Sequence, residues 1–284
     1  MSRIGVWFDG GGQFGFGNIC RSGEIAKELT RRGHEVINVA LSAKARQLCP
    51  RPLGERRQVD AVLLDVPYSG NEEVRRAHDL GAAVIALDYE GTVAPEAIVS
   101  LHDIRERPKC ARFYVGAEFA IIRSDIREIK GTKIDGEYVL VVLGGGDCEG
   151  LSSKIVRRLA SASLCLVQGP NAKPVEIRRE NLRVLQNPPE LPQLMAGCRW
   201  AITSGGTTML EMLYLGKATH VVPRTEAEKI YAQSFLGKHS LLGIGLENLS
   251  EPEVRLKNSC ERKGPVLIDG HGAERIAKIV EEFL

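Results

Sequence analysis

Two apolar runs, residues 4–8 (IGVWF) and 138–143 (YVLVVL), each lead directly into a glycine-rich turn and then into a segment of helical period. That strand, glycine turn and helix, made twice in one chain, is the opening of a doubly wound α/β unit, and it constrains the fold more than any other feature. After the first turn, a helix is expected from about Asn18 to Arg32, with Ile19, Gly23, Ala26 and Leu29 on one narrow face and Gly33 as its stop. Strand-like runs follow at 34–41, 59–65 and 82–88, with a polar helix at 71–80. After the second turn, Leu151, Ile155 and Leu159 recur at helical spacing, and strands are expected at 164–168, 182–185, 200–204 and 219–222. Short apolar strands alternating with helices imply parallel sheets covered on both faces.

The chain has 284 residues, enough for two domains at roughly 100–200 residues each. Turn residues Gly131, Asp135 and Gly136 lie in the polar stretch between the repeats, which places the expected division at 1–133 and 134–284. The last segment carries Ile276, Ile279, Val280 and Phe283 on one stripe, as a helix able to dock back on the first domain would.

Lys+Arg 38 against Asp+Glu 36 leaves a formal charge of +2, and aromatic residues are 5% of the chain. Neither a basic surface nor stacking platforms for nucleic acid are expected. No run approaches the ~18 apolar residues of a spanning helix, and residues 3–8 begin a strand rather than a leader, so a soluble, cytoplasmic protein is expected. The seven cysteines are scattered without a C-x-x-C pair and no two of the six histidines have metal-ligand spacing. Structural thiols, no metal site and no bound cofactor are the corresponding expectations.

Chemistry concentrates in three turns. Gly10, Gly11, Gly12, Gln13, Phe14, Gly15, Phe16 and Gly17 join the first strand to the first helix, where backbone must approach a ligand and helix N–H groups face an anion. Gly10, Gly12 and Gly15 satisfy G-x-G-x-x-G, but the second strand ends Val39-Ala40-Leu41-Ser42-Ala43, without the acidic ribose ligand of a dinucleotide fold. Gly144, Gly145, Gly146 and Asp147 form the corresponding turn of the second repeat. The third turn, Ser204, Gly205, Gly206, Thr207 and Thr208, sets two glycines and two hydroxyls at the start of a helix whose dipole favours a diphosphate. Glu211 lies one turn further on the Thr207 face, where a carboxylate can accept two hydrogen bonds from a ribose diol.

Taken in order, Gly15-Phe16-Gly17-Asn18-Ile19-Cys20-Arg21, Gly144-Gly145-Gly146-Asp147, Gln168-Gly169-Pro170-Asn171 and Ser204-Gly205-Gly206-Thr207-Thr208 with Glu211 resemble the nucleotide-sugar hydrolases of pseudaminic acid biosynthesis, which act on a UDP-linked diacetamido-trideoxy-altropyranose, and the related spore-coat polysaccharide proteins. The second half is similar to the peptidoglycan N-acetylglucosaminyltransferase. The resemblance runs over residues 3–233 and implies a glycosyltransferase-B architecture of two Rossmann-like domains facing across a cleft, with UDP held mainly by the second.

It further implies the diphosphate at Ser204, Gly205, Gly206, Thr207 and Thr208 with Gly145 and Gly146 nearby, the ribose at Glu211, and sugar contacts at Asp9, Gln13, Gly15, Gly17 and Arg21. Asn171, Glu228 and Gln233 fall at further polar positions of the pattern. Where the hydrolases carry a histidine general base, this chain has Asn18, whose amide can orient water or a hydroxyl and cannot take a proton. Asp9 matches an acidic position and is the other candidate base. The expected activity is hydrolysis of a UDP-sugar at its anomeric carbon, in surface-polysaccharide or nonulosonic acid sugar biosynthesis. The alternatives are a glycosyltransferase with the same donor and a nucleotide-sugar-binding protein without catalysis. The expected partner is the UDP-sugar alone, and the oligomeric state is left open.

Overall fold

A computed structural model describes residues 1–11, 14–102, 112–145, 150–169, 172, 174–236, 241–249 and 268–284. Gly12, Gln13, Gly146, Asp147, Pro170 and Asn171 therefore lie outside the described residues. The chain divides into two compact units, Met1–Ile122 with Ile268–Leu284, and Arg123–Leu267.

The first unit runs β1 (Arg3–Phe8), α1 (Gly17–Arg31), β2 (Glu35–Ala40), α2 (Ala43–Leu48), β3 (Ala61–Asp65), α3 (Asn71–Asp79), β4 (Ala83–Leu87), β5 (Ala97–Ser100), β6 (Arg112–Val115) and a 3-10 turn at Ala117–Phe119. Its six strands are parallel, in the order β2-β1-β3-β4-β5-β6. Side chains alternate across the sheet, as a period of two requires. Ile4, Val6, Phe8 and Leu63 pack with Ile25 and Leu29 of α1. Trp7, Val62, Leu64 and Val84 pack on the other face with Val74 and Ala77 of α3. Both faces are thus covered, which is why β3 reads as an unbroken apolar run ending in Asp65.

The second unit begins with α4 (Ser124–Ile129), then β7 (Val139–Val142), α5 (Leu151–Arg158), β8 (Leu164–Gln168), β9 (Leu182–Gln186), α6 (Leu191–Gly197), β10 (Trp200–Thr203), α7 (Thr207–Tyr214), β11 (Thr219–Val221), α8 (Glu226–Gln233) and β12 (Leu241–Ile244). The parallel order is β12-β11-β10-β7-β8-β9. Counted from β7, this is the Rossmann order 3-2-1-4-5-6. Helix α4 packs on α6 and so groups with the second unit, ahead of the turn-rich stretch from which that unit was expected to start.

The last helix, α9 (Gly272–Glu281), belongs to the first unit. Ile276, Ala277, Ile279 and Val280 join the α1 side of the core. Glu281 accepts from Arg32 and from His34 Nε2 at 3.0 Å, and this pairing, led by the Arg32 hydrogen bond, lowers its pKa to about 2. Gly272 has no room for a side chain, since a Cβ there would collide with the Ala120 carbonyl.

Strands β5, β6 and β12 were not among the runs recognisable in the sequence. Each has only four residues: the apolar run of β5 is just Ala97-Ile98-Val99 before Ser100, β6 is half-exposed and opens on Arg112, and β12 contains Gly243.

Candidate functional site

In an open parallel sheet the ligand crevice lies at the carboxyl ends of the strands, where the strand order reverses. In the first unit that point falls between β1 and β3. Asp9 follows β1, Asp65 ends β3, and Asp88 follows β4, so three carboxylates stand along one edge. The backbone N–H of Asp9 donates to the Asp65 carbonyl at 3.1 Å, which ties the first two strand ends together.

Asp65 is 0% exposed and accepts four hydrogen bonds: from Asn18 Nδ2 (2.7 Å), Arg21 Nε (2.9 Å), Arg21 Nη2 (2.6 Å) and Ser22 Oγ (2.9 Å). Those donors match the ~4 lone-pair sites of a carboxylate, so Asp65 orients its neighbours. Arg21 reaches on with Nη1 to Asp88 Oδ2 at 2.6 Å, and Ser100 Oγ donates to Asp88 Oδ1 at 3.0 Å. Burial resists ionisation of Asp88, but the charge and hydrogen bond of Arg21, with the Ser100 hydroxyl, outweigh it and hold the carboxyl below its ordinary value. Asp88 also has φ 46°, a left-handed conformation uncommon for non-glycine residues, though aspartate adopts it more readily than most.

The Asn18 amide is oriented by this network. Its Nδ2 donates to Asp65, which leaves the amide oxygen as the acceptor for a ligand or a water. Asp9 accepts from Gly10 N (2.8 Å), Ser42 Oγ (2.6 Å) and Tyr68 Oη (3.4 Å). Burial, with the negative charges of Glu73 and Asp9, pushes the Tyr68 phenol up, so it stays a donor at neutral pH. Gly15, at φ +73°, accepts from Gly11 N at 2.6 Å and closes the turn before Gly17 opens α1. Asp9, Gly15, Gly17, Asn18 and Arg21 are therefore gathered at one edge.

In the second unit the reversal falls between β7 and β10. The register pairs Thr203 with Val142, so the turns 144–145 and 204–206 leave adjacent strand ends. Gly144 has φ +82°, and a Cβ on it would lie 3.8 Å from Ser204 Oγ. Gly169, after β8, presses on the backbone of Gly144 and Gly145 so closely that any side chain there would collide.

Gly206 is the N-cap of α7 and no side chain caps that helix. Met209 N–H donates to the Gly206 carbonyl at 3.0 Å, and the first amides of the helix, of Thr207 and Thr208, suit an anion beside their own hydroxyls. Helix α7 buries Met209, Leu210, Met212 and Leu213, which fixes its rotation and carries Glu211 inward to 4% exposure. Glu211 Oε1 accepts from Arg123 Nε at 2.6 Å and Oε2 from Arg123 Nη2 at 3.3 Å, while Arg123 Nη1 reaches Asp125 at 3.2 Å.

Glu228 has a supporting place. Thr225 caps α8 by accepting from Glu228 N, and the Glu228 carboxylate accepts from Arg224 N (2.7 Å), from the Arg224 guanidinium and from Gly205 N (3.4 Å). The 204–206 turn is thereby fastened to the start of α8. Gln233 ends α8, toward the opposite end of the helix, with an exposed side chain.

A Cβ at Gly205 would strike the Glu228 carbonyl and lie 2.8 Å from Glu228 Cβ. Gly205→Ala is expected to displace the turn, with a stability loss of about 1–3 kcal/mol and weaker binding of inorganic diphosphate, read by calorimetric titration. An alanine variant that binds diphosphate as the parent does would show that the turn is not the anion site.

Sequence reasoning missed Asp65, Asp88 and Arg123. The signal for the first two was an aspartate closing an apolar strand run, which becomes meaningful once the strand order places those ends together. Among the described residues no group of three His, Cys, Asp or Glu side chains is placed to hold a metal ion, and no helix is long and apolar enough to cross a membrane.

No family model matches the chain. It is 23% identical to the spore coat polysaccharide biosynthesis protein SpsG of Bacillus subtilis (strain 168), over 99% of this chain and 98% of that protein. Among solved structures it is similar to Acinetobacter baumannii MurG, with 13% identity, 99% and 100% of the two chains covered and a TM-score of 0.61. It is likewise similar to S. aureus MnaA solved with UDP, with 12% identity, 100% and 97% covered and a TM-score of 0.64. The glycotransferase of kitacinnamycin gives 16% identity, 100% and 99% covered and a TM-score of 0.63. With its two six-stranded parallel sheets, the chain has the α/β fold of the glycosyltransferase-B type, built from two Rossmann-like domains.

Proposed function

We propose that this protein binds a UDP-sugar and cleaves the bond between the anomeric carbon and the diphosphate oxygen, in the synthesis of a surface polysaccharide or a nonulosonic acid sugar. The nucleotide is assigned to the second unit. The observation that carries the reading is the placement of both glycine turns of the second unit, 144–145 and 204–206, on the two sides of the β7/β10 reversal, with an uncapped helix starting there. Backbone amides and a helix dipole at that point suit a diphosphate, and they stabilise the negative charge that grows on UDP as it leaves. Glu211, one turn along α7, is the ribose acceptor in this reading. The similarity to SpsG, and to MnaA in its UDP-bound structure, supports the choice of polysaccharide chemistry and of uridine.

The first acceptor considered is water. The second is a sugar hydroxyl, and the Asn18 amide favours it, because an amide fixed on Asp65 orients a hydroxyl without deprotonating it. Incubation with UDP-N-acetylhexosamines separates the cases. UDP release without acceptor is the expected result. Release only when a sugar acceptor is added would make the protein a transferase, and UDP binding without turnover would make it a binding protein.

A further inference from the structure

We propose that Arg123 is a latch on the carboxylate assigned to the ribose: its guanidinium forks Glu211, and a ribonucleotide must displace it onto Asp125 to bind. The inference rests on the nucleotide reading given above and adds the regulation of that same site. Arg123, Asp125 and Glu211 all belong to the second unit.

The two ends of the candidate nucleotide site are built differently. At the diphosphate end, α7 starts without a side-chain cap, and the buried Ser204 holds its hydroxyl between the two glycine turns. Its Oγ lies 3.8 Å from where a Cβ on Gly144 would stand and 3.9 Å from where one on Gly206 would. At the ribose end the acceptor is engaged by a cation. Glu211 Oε1 accepts from Arg123 Nε at 2.6 Å and Oε2 from Arg123 Nη2 at 3.3 Å, a side-on fork.

A carboxylate offers about four lone-pair sites, of which the two inner ones lie side by side. A guanidinium fork and a vicinal diol each present two neighbouring donors to that inner pair, whereas the outer two sites point apart and cannot serve one diol together. Arginine and ribose are therefore rivals for the same positions. Glu211 is held in place, because Met209, Leu210, Met212 and Leu213 of the same helix are buried with it. Arg123 is the side that can yield. It is the N-cap residue of α4 rather than part of a packed helix face, its side chain is partly exposed, and its Nη1 already reaches the half-exposed Asp125 carboxylate at 3.2 Å. Water and Asp125 together receive the displaced charge. The 3.3 Å bond at Oε2 is the weaker of the fork, so exchange begins there.

A latch of this kind weakens only ligands that need Glu211. The apparent affinity for a ribonucleotide falls with the fraction of molecules in which the fork is open, while inorganic diphosphate, which has no diol, is indifferent to it.

The test is calorimetric titration of the full chain with UDP and, as the control, inorganic diphosphate. Arg123→Gln, whose amide can still donate one neutral hydrogen bond to Glu211, should bind UDP about 10-fold more tightly than wild type and diphosphate within about twofold. In a Glu211→Ala background the same substitution should change neither affinity. A second measurement uses the wild type alone: the Arg123 Nε–H resonance should exchange slowly with solvent in the protein by itself and in excess diphosphate, and rapidly in saturating UDP. UDP affinity in Arg123→Gln equal to or weaker than wild type overturns the latch, as does an Nε–H that stays protected in saturating UDP. With UDP binding still lost in Glu211→Ala, the ribose assignment then stands without it. A gain for UDP that persists in the Glu211→Ala background also overturns the latch, since Arg123 would be acting by another route. No UDP binding by the wild type, or none lost in Glu211→Ala, overturns the ribose assignment and the latch together.

Discussion

Asp65→Ala is expected to destabilise the first unit by about 3–5 kcal/mol, the largest stability effect of any single substitution at this site. The side chain is fully buried and accepts from Asn18, Arg21 and Ser22, so its removal strands a guanidinium, an amide and a hydroxyl together. Arg21 retains only Asp88, on one fork, and its side chain is 15% exposed, too little for water to replace the lost partner. The cost of leaving a buried charge unpaired exceeds the net contribution of the intact pair, which is why truncation is the informative variant. Asp65→Asn, which keeps the shape and loses the charge, should fall between alanine and wild type. The measurement is the midpoint of a denaturant transition with unchanged m value, followed on the first unit. A midpoint within experimental scatter of wild type in Asp65→Ala would mean that the Asn18–Arg21–Asp65 cluster does not hold this edge together.

The sequence carries the signatures of both sheets unevenly. Runs such as 61–65 and 164–168 are apolar at every or nearly every position because helices cover both faces, and that signature is local. Glycine turns are equally legible, since Gly15 and Gly144 need left-handed φ and Gly205 needs close approach, each a demand that one residue type meets. What is not local is the partner of a polar side chain. Arg21 meets Asp65 and Asp88 only because β3 and β4 follow β1 in the sheet, and Glu211 meets Arg123 only because α4 packs in the second unit. Glu228 illustrates the same limit within a motif. The Thr225-x-x-Glu228 spacing announces a capping box, but the carboxylate turns to Arg224 and Gly205 and braces the preceding turn instead. Residue type and spacing thus located the candidate edges, while the distribution of charge along them depends on strand order.

Glu211→Ala is expected to weaken UDP binding by about 100-fold, or ~2.7 kcal/mol, and to leave the affinity for inorganic diphosphate within about twofold. Hydrogen bonds to a charged group contribute roughly 1.5–3 kcal/mol each, so two ribose hydroxyls on one carboxylate are sufficient for that loss. The diphosphate control is what gives the variant its meaning. Thr207 and Thr208, with the opening amides of α7, are untouched by the substitution, whereas a collapse of the helix would weaken both ligands together. Arg123 complicates only the stability. In the alanine variant it keeps Asp125 and is 28% exposed, so water can reach the guanidinium. In Arg123→Ala, by contrast, a carboxylate of 4% exposure loses a bidentate partner, and a stability loss of about 3–5 kcal/mol is expected. A double-mutant cycle on UDP affinity then separates orientation from contact. If Arg123 acts only by orienting Glu211, the double variant binds UDP as weakly as Glu211→Ala alone. Equal losses for UDP and diphosphate in Glu211→Ala, or no loss for either, would remove the ribose assignment.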